Sequence, residues 1–109
     1  MGGGFTLGKR VGALATARDV KLAMHCWGGA VSLMASLHFG LSQPACEWVE
    51  YPRLPNPLRE DLLSEPLVVE GGLIELPALP GLGVELREDV VRRCRASGSA
   101  VSGLVFELK

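Results

Sequence analysis

No stretch of the sequence approaches the roughly 18 uninterrupted apolar residues of a membrane span. The N-terminal MGGGFTLGKR also lacks the apolar segment that a secretory signal needs. The expectation is a chain that neither crosses nor coats a membrane and works in the cytoplasm. Cysteine is scarce: Cys26, Cys46 and Cys94 are odd in number, far apart and never in a C-x-x-C arrangement. That spacing indicates neither a disulfide framework nor a zinc knuckle, and the three read as buried or idle thiols in a reducing compartment. An excess of one charge is missing too. Eleven basic residues stand against twelve acidic ones, net −1, and the basic ones are scattered. Nothing here suggests a nucleic-acid partner or an anionic membrane surface, and no internal repeat is present.

What the chain does have is apolar content. At 109 residues and 48% hydrophobic it can form one small domain or a piece of a larger one. From Thr6 to Arg18, Leu7, Val11 and Leu14 recur at three- and four-residue steps. They predict a helix with one apolar face, Thr6 as its N-cap, weakened by Gly8 and Gly12. DVKLAM predicts a strand over Val20 to Met24, ending at His25. Ala30, Leu33, Met34, Leu37 and Leu41 fall on one stripe of a second helix, stopped before Pro44, and Cys46 to Tyr51 reads as the next strand. Helix, strand, helix, strand at this spacing implies parallel strands and a piece of an α/β sheet or barrel. Beyond Tyr51, PRLPNPLREDLLSEP reads as an ordered surface excursion, LVVEGGLIEL as a hairpin turning at Gly71-Gly72, and PALPGLGVEL as a stiff, turn-rich segment. A short helix starts at Glu88 with acids and finishes with Arg92, Arg93 and Arg95, as the helix dipole favours. The last residues, ASGSAVSGLVFELK, read as a small-residue linker and a strand.

Gly3, Gly8 and Lys9 fit the start of a phosphate-binding loop, but Arg10 stands where Ser or Thr would ligate magnesium and no strand precedes the loop. That reading is set aside. His25 has two readings. A titratable group at the C-terminal end of a barrel strand points at bound substrate, and an imidazole takes and returns protons near neutrality. The plainer alternative is a strand-end histidine bonded to backbone. Glu50, at the end of the next strand, would share the same rim. If burial raised its pKa, it could hydrogen-bond a developing oxyanion as a carboxylic acid. Glu47 would face the opposite side and be solvated; His38 and Asp19 read as helix-surface and loop residues. Trp27 reads as a substrate-pocket wall or as plain core, with core favoured.

Three stretches, GGFTLGKRVGALATARDVKLAMHCWGG, SLHFGLSQPACEWVEYP and EGGLIELPALPGLGVEL, resemble the C-terminal region of the enolase superfamily. The likeness, over residues 2 to 95, is to the mandelate racemase and muconate lactonizing enzymes, and within them to the mandelate racemase group with its acid-sugar dehydratases. It implies the last strands and helices of a modified (β/α) TIM-type barrel in residues 1–52. Residues 53–95 would be a return segment to an α+β capping domain, and residues 96–109 a tail outside the likeness. It also implies a Mg2+-dependent enzyme, usually a homo-oligomer, that abstracts a proton α to the carboxylate of an acid sugar or 2-hydroxy acid. His25 matches the seventh-strand histidine that moves that proton. Glu50 matches the eighth-strand glutamate beside the substrate carboxylate.

The likeness further implies that the sixth-strand Asp partner of the histidine, and the metal carboxylates of earlier strands, fall before Met1. No metal ligand is expected in this chain, and little turnover is expected from it alone. Dehydration and racemisation both begin with the same proton abstraction and are not separated by these residues. Two alternatives remain: a non-catalytic α/β interaction module, or one half of a split enzyme completed by a polypeptide carrying the upstream half of the barrel.

Overall fold

The computed structural model describes residues 3–95, so the tail expected at 96–109 lies outside the described residues. Helix α1 (Gly4–Ala17) leads to strand β1 (Leu22–Met24), helix α2 (Ala30–Leu41) and strand β2 (Cys46–Val49). A short helix α3 (Pro57–Glu60), the strands β3 (Val69–Glu70) and β4 (Leu73–Ile74), and helix α4 (Glu88–Arg93) follow. As the alternation of elements predicts, β1 and β2 pair in parallel, with α2 as the connection between them. The hairpin is also as predicted: β3 and β4 pair antiparallel around Gly71 and Gly72, whose φ values of 58° and 80° suit a tight turn that L side chains resist.

The core is built on α2. Ala30, Leu33 and Met34 are fully enclosed, and Leu37 joins them with Cys26, Leu62, Leu63 and Val90. Leu41, expected to extend the stripe, is 77% exposed, and Gly40 is the residue that faces inward. The reason is steric. At Gly40 a Cβ would lie 3.2 Å from Cys46 Sγ and 3.4 Å from both Met24 and Val49, so the helix reaches the two strands through a residue without a side chain.

Helix α1 departs from expectation in the same way. Its N-cap is Gly3, in the left-handed region at φ 73°, and Thr6 lies inside the helix. Leu7, Val11 and Leu14 are 45%, 49% and 53% exposed, whereas Gly12 and Ala15 are the buried positions. Gly12 sits so close to Gln43 that a Cβ would collide with its amide, and a Cβ on Gly8 would lie 2.8 Å from the Phe39 ring. The glycines counted as weak points are therefore the surface by which α1 meets α2 and the turn after it. The periodic apolar stripe faces away.

The proline-rich segment is more than a surface excursion. The Asn56 side chain accepts from the Leu58 N–H at 3.0 Å and starts α3, with Pro57 in its first turn. Arg59 is 7% exposed, with its guanidinium 5.5 Å from the centre of the Tyr51 ring and hydrogen-bonded to the Leu54 carbonyl. Leu62 and Leu63 then enter the core. The segment is stitched to the approach to α4 by Ser64 N–H to Glu85 O and Arg87 N–H to Leu62 O, both 2.9 Å.

Candidate functional site

The parallel register brings the two strand ends together. Leu22 lies opposite Cys46, Ala23 opposite Trp48 and Met24 opposite Val49, so β2 carries one extra residue, Glu47, at the irregular step. Glu47 pairs with Lys21 at 2.7 Å, a partly exposed ion pair beside the site and not within it. Past the last paired residues, the Glu50 N–H donates to the Met24 carbonyl at 2.8 Å. This bond places Glu50 level with His25.

The side chains of His25 and Glu50 meet: Nδ1 lies 2.6 Å from Oε2. Only a proton between the two atoms allows that approach, so a neutral His25 carries its hydrogen on Nδ1 and leaves Nε2 as the basic nitrogen. The second Glu50 oxygen, Oε1, accepts the Trp27 indole N–H at 2.8 Å. The imidazole and indole rings lie 28° from parallel with centroids 6.5 Å apart. Trp27 is 61% exposed, which overturns the favoured reading of it as core. The two glycines behind it carry the chain to the start of α2, leaving the ring on the rim with the other two groups.

The electrostatics differ from the expected ones. The Trp27 hydrogen bond, the charge of His25 and the Cys26 backbone N–H hold the Glu50 carboxyl below its ordinary range, outweighing an opposing effect of burial. Its side chain is 41% exposed, too open for burial to win. The Glu50 carboxylate accepts from the Trp27 indole and lies against His25 Nδ1.

The remaining candidates lie elsewhere. The His38 Nε2–H donates to the Leu82 carbonyl at 3.1 Å, tying α2 to the 81–83 turn, so it is half-buried and bonded, more than a surface residue. Asp19 sits in the turn before β1 with φ 51°. Gly3, Gly8 and Lys9 belong to the start of α1 and form no phosphate loop. Cys26, Cys46 and Cys94 are free thiols, and no described helix is long and apolar enough to cross a membrane. Among the described residues no three His, Cys, Asp or Glu side chains gather as a metal-holding group. The donor set of His25 and Glu50 is too small to hold a divalent cation. The feature that sequence reasoning missed is the Trp27–Glu50 bond; its signal was a tryptophan two residues past a strand-end histidine, on the way into a glycine pair.

Known proteins share this arrangement of elements. The chain is 33% identical over 101 residues to D-galactarolactone cycloisomerase of Agrobacterium fabrum, covering 85% of this chain and 27% of that protein. It is 35% identical over 95 residues to D-galactonate dehydratase of Ralstonia pickettii, covering 82% and 25%. Among solved structures, a mandelate racemase/muconate lactonizing enzyme from a Jannaschia species superposes with a TM-score of 0.75 at 34% identity, covering 88% of this chain and 24% of that one. The chain thus spans about a quarter of the length of the relatives it matches, and forms part of the fold of these enolase-superfamily barrel enzymes. Residues 2–90 match the enolase C-terminal domain-like family, and the chain belongs to it.

Proposed function

We propose that this chain supplies the last two strand ends of a Mg2+-dependent enolase-superfamily barrel that removes a proton α to the carboxylate of an acid sugar or 2-hydroxy acid. The observation that carries the proposal is the contact between His25 and Glu50 at neighbouring parallel strand ends. Names of relatives such as D-galactonate dehydratase support the acid-sugar class. In this reading residues 1–52 complete the barrel, residues 53–95 run back toward a capping domain, and the enzyme works in the cytoplasm.

His25 Nε2 takes the α-proton, and the electrons of the C–H bond pass into an enediolate on the substrate carboxylate. In this reading Glu50, at the neighbouring strand end, lies beside the substrate carboxylate as charge develops there, and the Asp that partners His25 comes from the sixth strand of the upstream barrel. Trp27 forms one wall of the substrate site. Among the described residues no group would hold a divalent metal; a Mg2+ ion would be held by carboxylates of the upstream barrel strands and would supply countercharge there. This chain alone then has little or no turnover. Elimination of a β-hydroxyl gives a dehydratase, and reprotonation on the opposite face gives a racemase.

The outward face of α1, with Leu7, Val11 and Leu14 all half-exposed, favours a second reading in which a separate polypeptide supplies the rest of the barrel. Both readings are tested by mixing the chain with a polypeptide carrying the upstream barrel of a relative and offering a panel of acid sugars with Mg2+. Product is expected only on mixing, and His25→Asn is expected to abolish it. Product formation that survives His25→Asn would remove His25 from the mechanism, and a folded mixture inert toward every acid would leave the chain as an interaction module.

A further inference from the structure

We propose that Arg59 is a positioning residue: its buried guanidinium grips the segment leaving β2 and so fixes where Glu50 stands at the strand-end rim. The proposal rests on the reading that places Glu50 beside the substrate carboxylate. Arg59 is the only buried charged residue among the described ones, with a side chain 4% exposed. Its guanidinium lies over the Tyr51 ring, 5.5 Å from the centre. Nη2 donates to the Leu54 carbonyl and, at 3.0 Å, to Glu60 Oε1. Tyr51 directly follows Glu50 in the chain, so the backbone beyond the glutamate is held at Tyr51 and again at Leu54.

The preceding residue ties the same short helix to the other strand-end loop. A Cβ on Gly29, the N-cap of α2, would lie 2.9 Å from the Leu58 carbonyl oxygen and 3.2 Å from Leu58 Cβ, so α3 rests on the loop that follows His25 and Trp27. The start of α3 is closed by two bonds: Asn56 accepts the Leu58 N–H at 3.0 Å, and Glu60 Oε1 accepts the Asn56 N–H at 3.1 Å. Leu58 and Arg59 thus join the two loops of the rim through one helical turn. Packing alone does not call for arginine here. Its Nε is buried with no hydrogen-bond partner among the described residues, and an apolar side chain of similar length would fill the space without desolvating a cation. What the guanidinium adds is direction, a planar donor group and a flat face that hold one carbonyl and one ring in place.

The test is nuclear magnetic resonance on the full chain. The readout is the nuclear Overhauser contact between the Glu50 γ-protons and the Trp27 indole N–H, groups held together by the 2.8 Å bond from Trp27 Nε1 to Glu50 Oε1. Arg59→Met keeps the length and apolar bulk and removes the guanidinium; the contact should be lost while the methyl resonances of the buried Leu33 stay in place. Val90→Ala, which opens a cavity in the core and leaves the guanidinium intact, should keep the contact. A contact that survives in Arg59→Met, or that is lost equally in Val90→Ala, would overturn the proposal. If Arg59→Met does not fold, Tyr51→Leu, which removes the ring and leaves the arginine, takes its place with the same expectations. If neither folds, the unaltered chain decides: a slowly exchanging Arg59 Nε–H in contact with the Tyr51 ring supports the proposal, and a rapidly exchanging one without that contact overturns it. None of these readouts uses substrate. A complemented enzyme inert toward every acid sugar, with the Arg59-dependent contact intact, would therefore contradict the reading of Glu50 and leave the positioning role standing.

Discussion

His25 and Glu50 meet at 2.6 Å because the Glu50 backbone bonds to the Met24 carbonyl at 2.8 Å, one residue before the histidine. The parallel strand pair thus sets the side-chain contact at the strand ends.

The pairing has a pH signature. Glu50 is held below its ordinary value of 4.5 in the folded chain, so the stability it contributes is complete above 4.5 and is lost as pH falls through the lower folded value. Glu50→Gln should therefore be less stable than the unaltered chain at neutral pH, and the gap should close on acidification. Urea titrations of both proteins across that range check this; a gap that widens in acid would reverse the assigned sign.

The core makes a sharper contrast. Leu33 is fully buried and Leu41 is 77% exposed on the same helix. Leu33→Ala should cost about 2–5 kcal/mol, and Leu41→Ala about 0.5 kcal/mol or less, as read from urea midpoints.

Gly40 is the contact between α2 and both strands, with three neighbours within 3.2–3.4 Å of where its Cβ would lie. Gly40→Val should cost about 1–3 kcal/mol through overpacking and loosen the register that brings Glu50 to His25. Thermal unfolding gives the first effect, and loss of the Nδ1-protonated His25 tautomer gives the second.

The outward face of α1 separates folding from assembly. Val11→Asp, at a position 49% exposed, should change the stability of the isolated chain by about 0.5 kcal/mol or less. The same change should prevent association with an upstream barrel polypeptide, read by size-exclusion chromatography of the mixture. Unimpaired association would show that this face is not the one covered.

Much of the fold was legible because burial in α2 and the alternation of elements follow ordinary periodicities: Ala30, Leu33, Met34 and Leu37 face the core as their spacing predicts. The failures on α1 and α2 have one cause. At Gly12 and Gly40 neighbouring side chains, those of Gln43 and of Cys46, Met24 and Val49, pack into the space a Cβ would take, and sequence reasoning that tracks large apolar residues looks instead to Leu7, Val11 and Leu41, which point outward. Trp27 was misread because tryptophan usually buries, and its single hydrogen bond to Glu50 depends on a juxtaposition of two strand ends that no local pattern encodes. The expected acid role of Glu50 rested on burial, which depends on surroundings and not on its place in the chain.

The central claim, that His25 moves the proton α to a carboxylate, is tested most directly by following an acid sugar in D2O. The chain is assembled with the upstream barrel of a relative and Mg2+, and deuterium at the α-carbon is read by proton resonance. The account predicts α-deuterium incorporation or solvent-derived deuterium in product with His25 present, and a loss of about 10²–10⁴-fold with His25→Asn. Exchange at an unchanged rate in His25→Asn would contradict it.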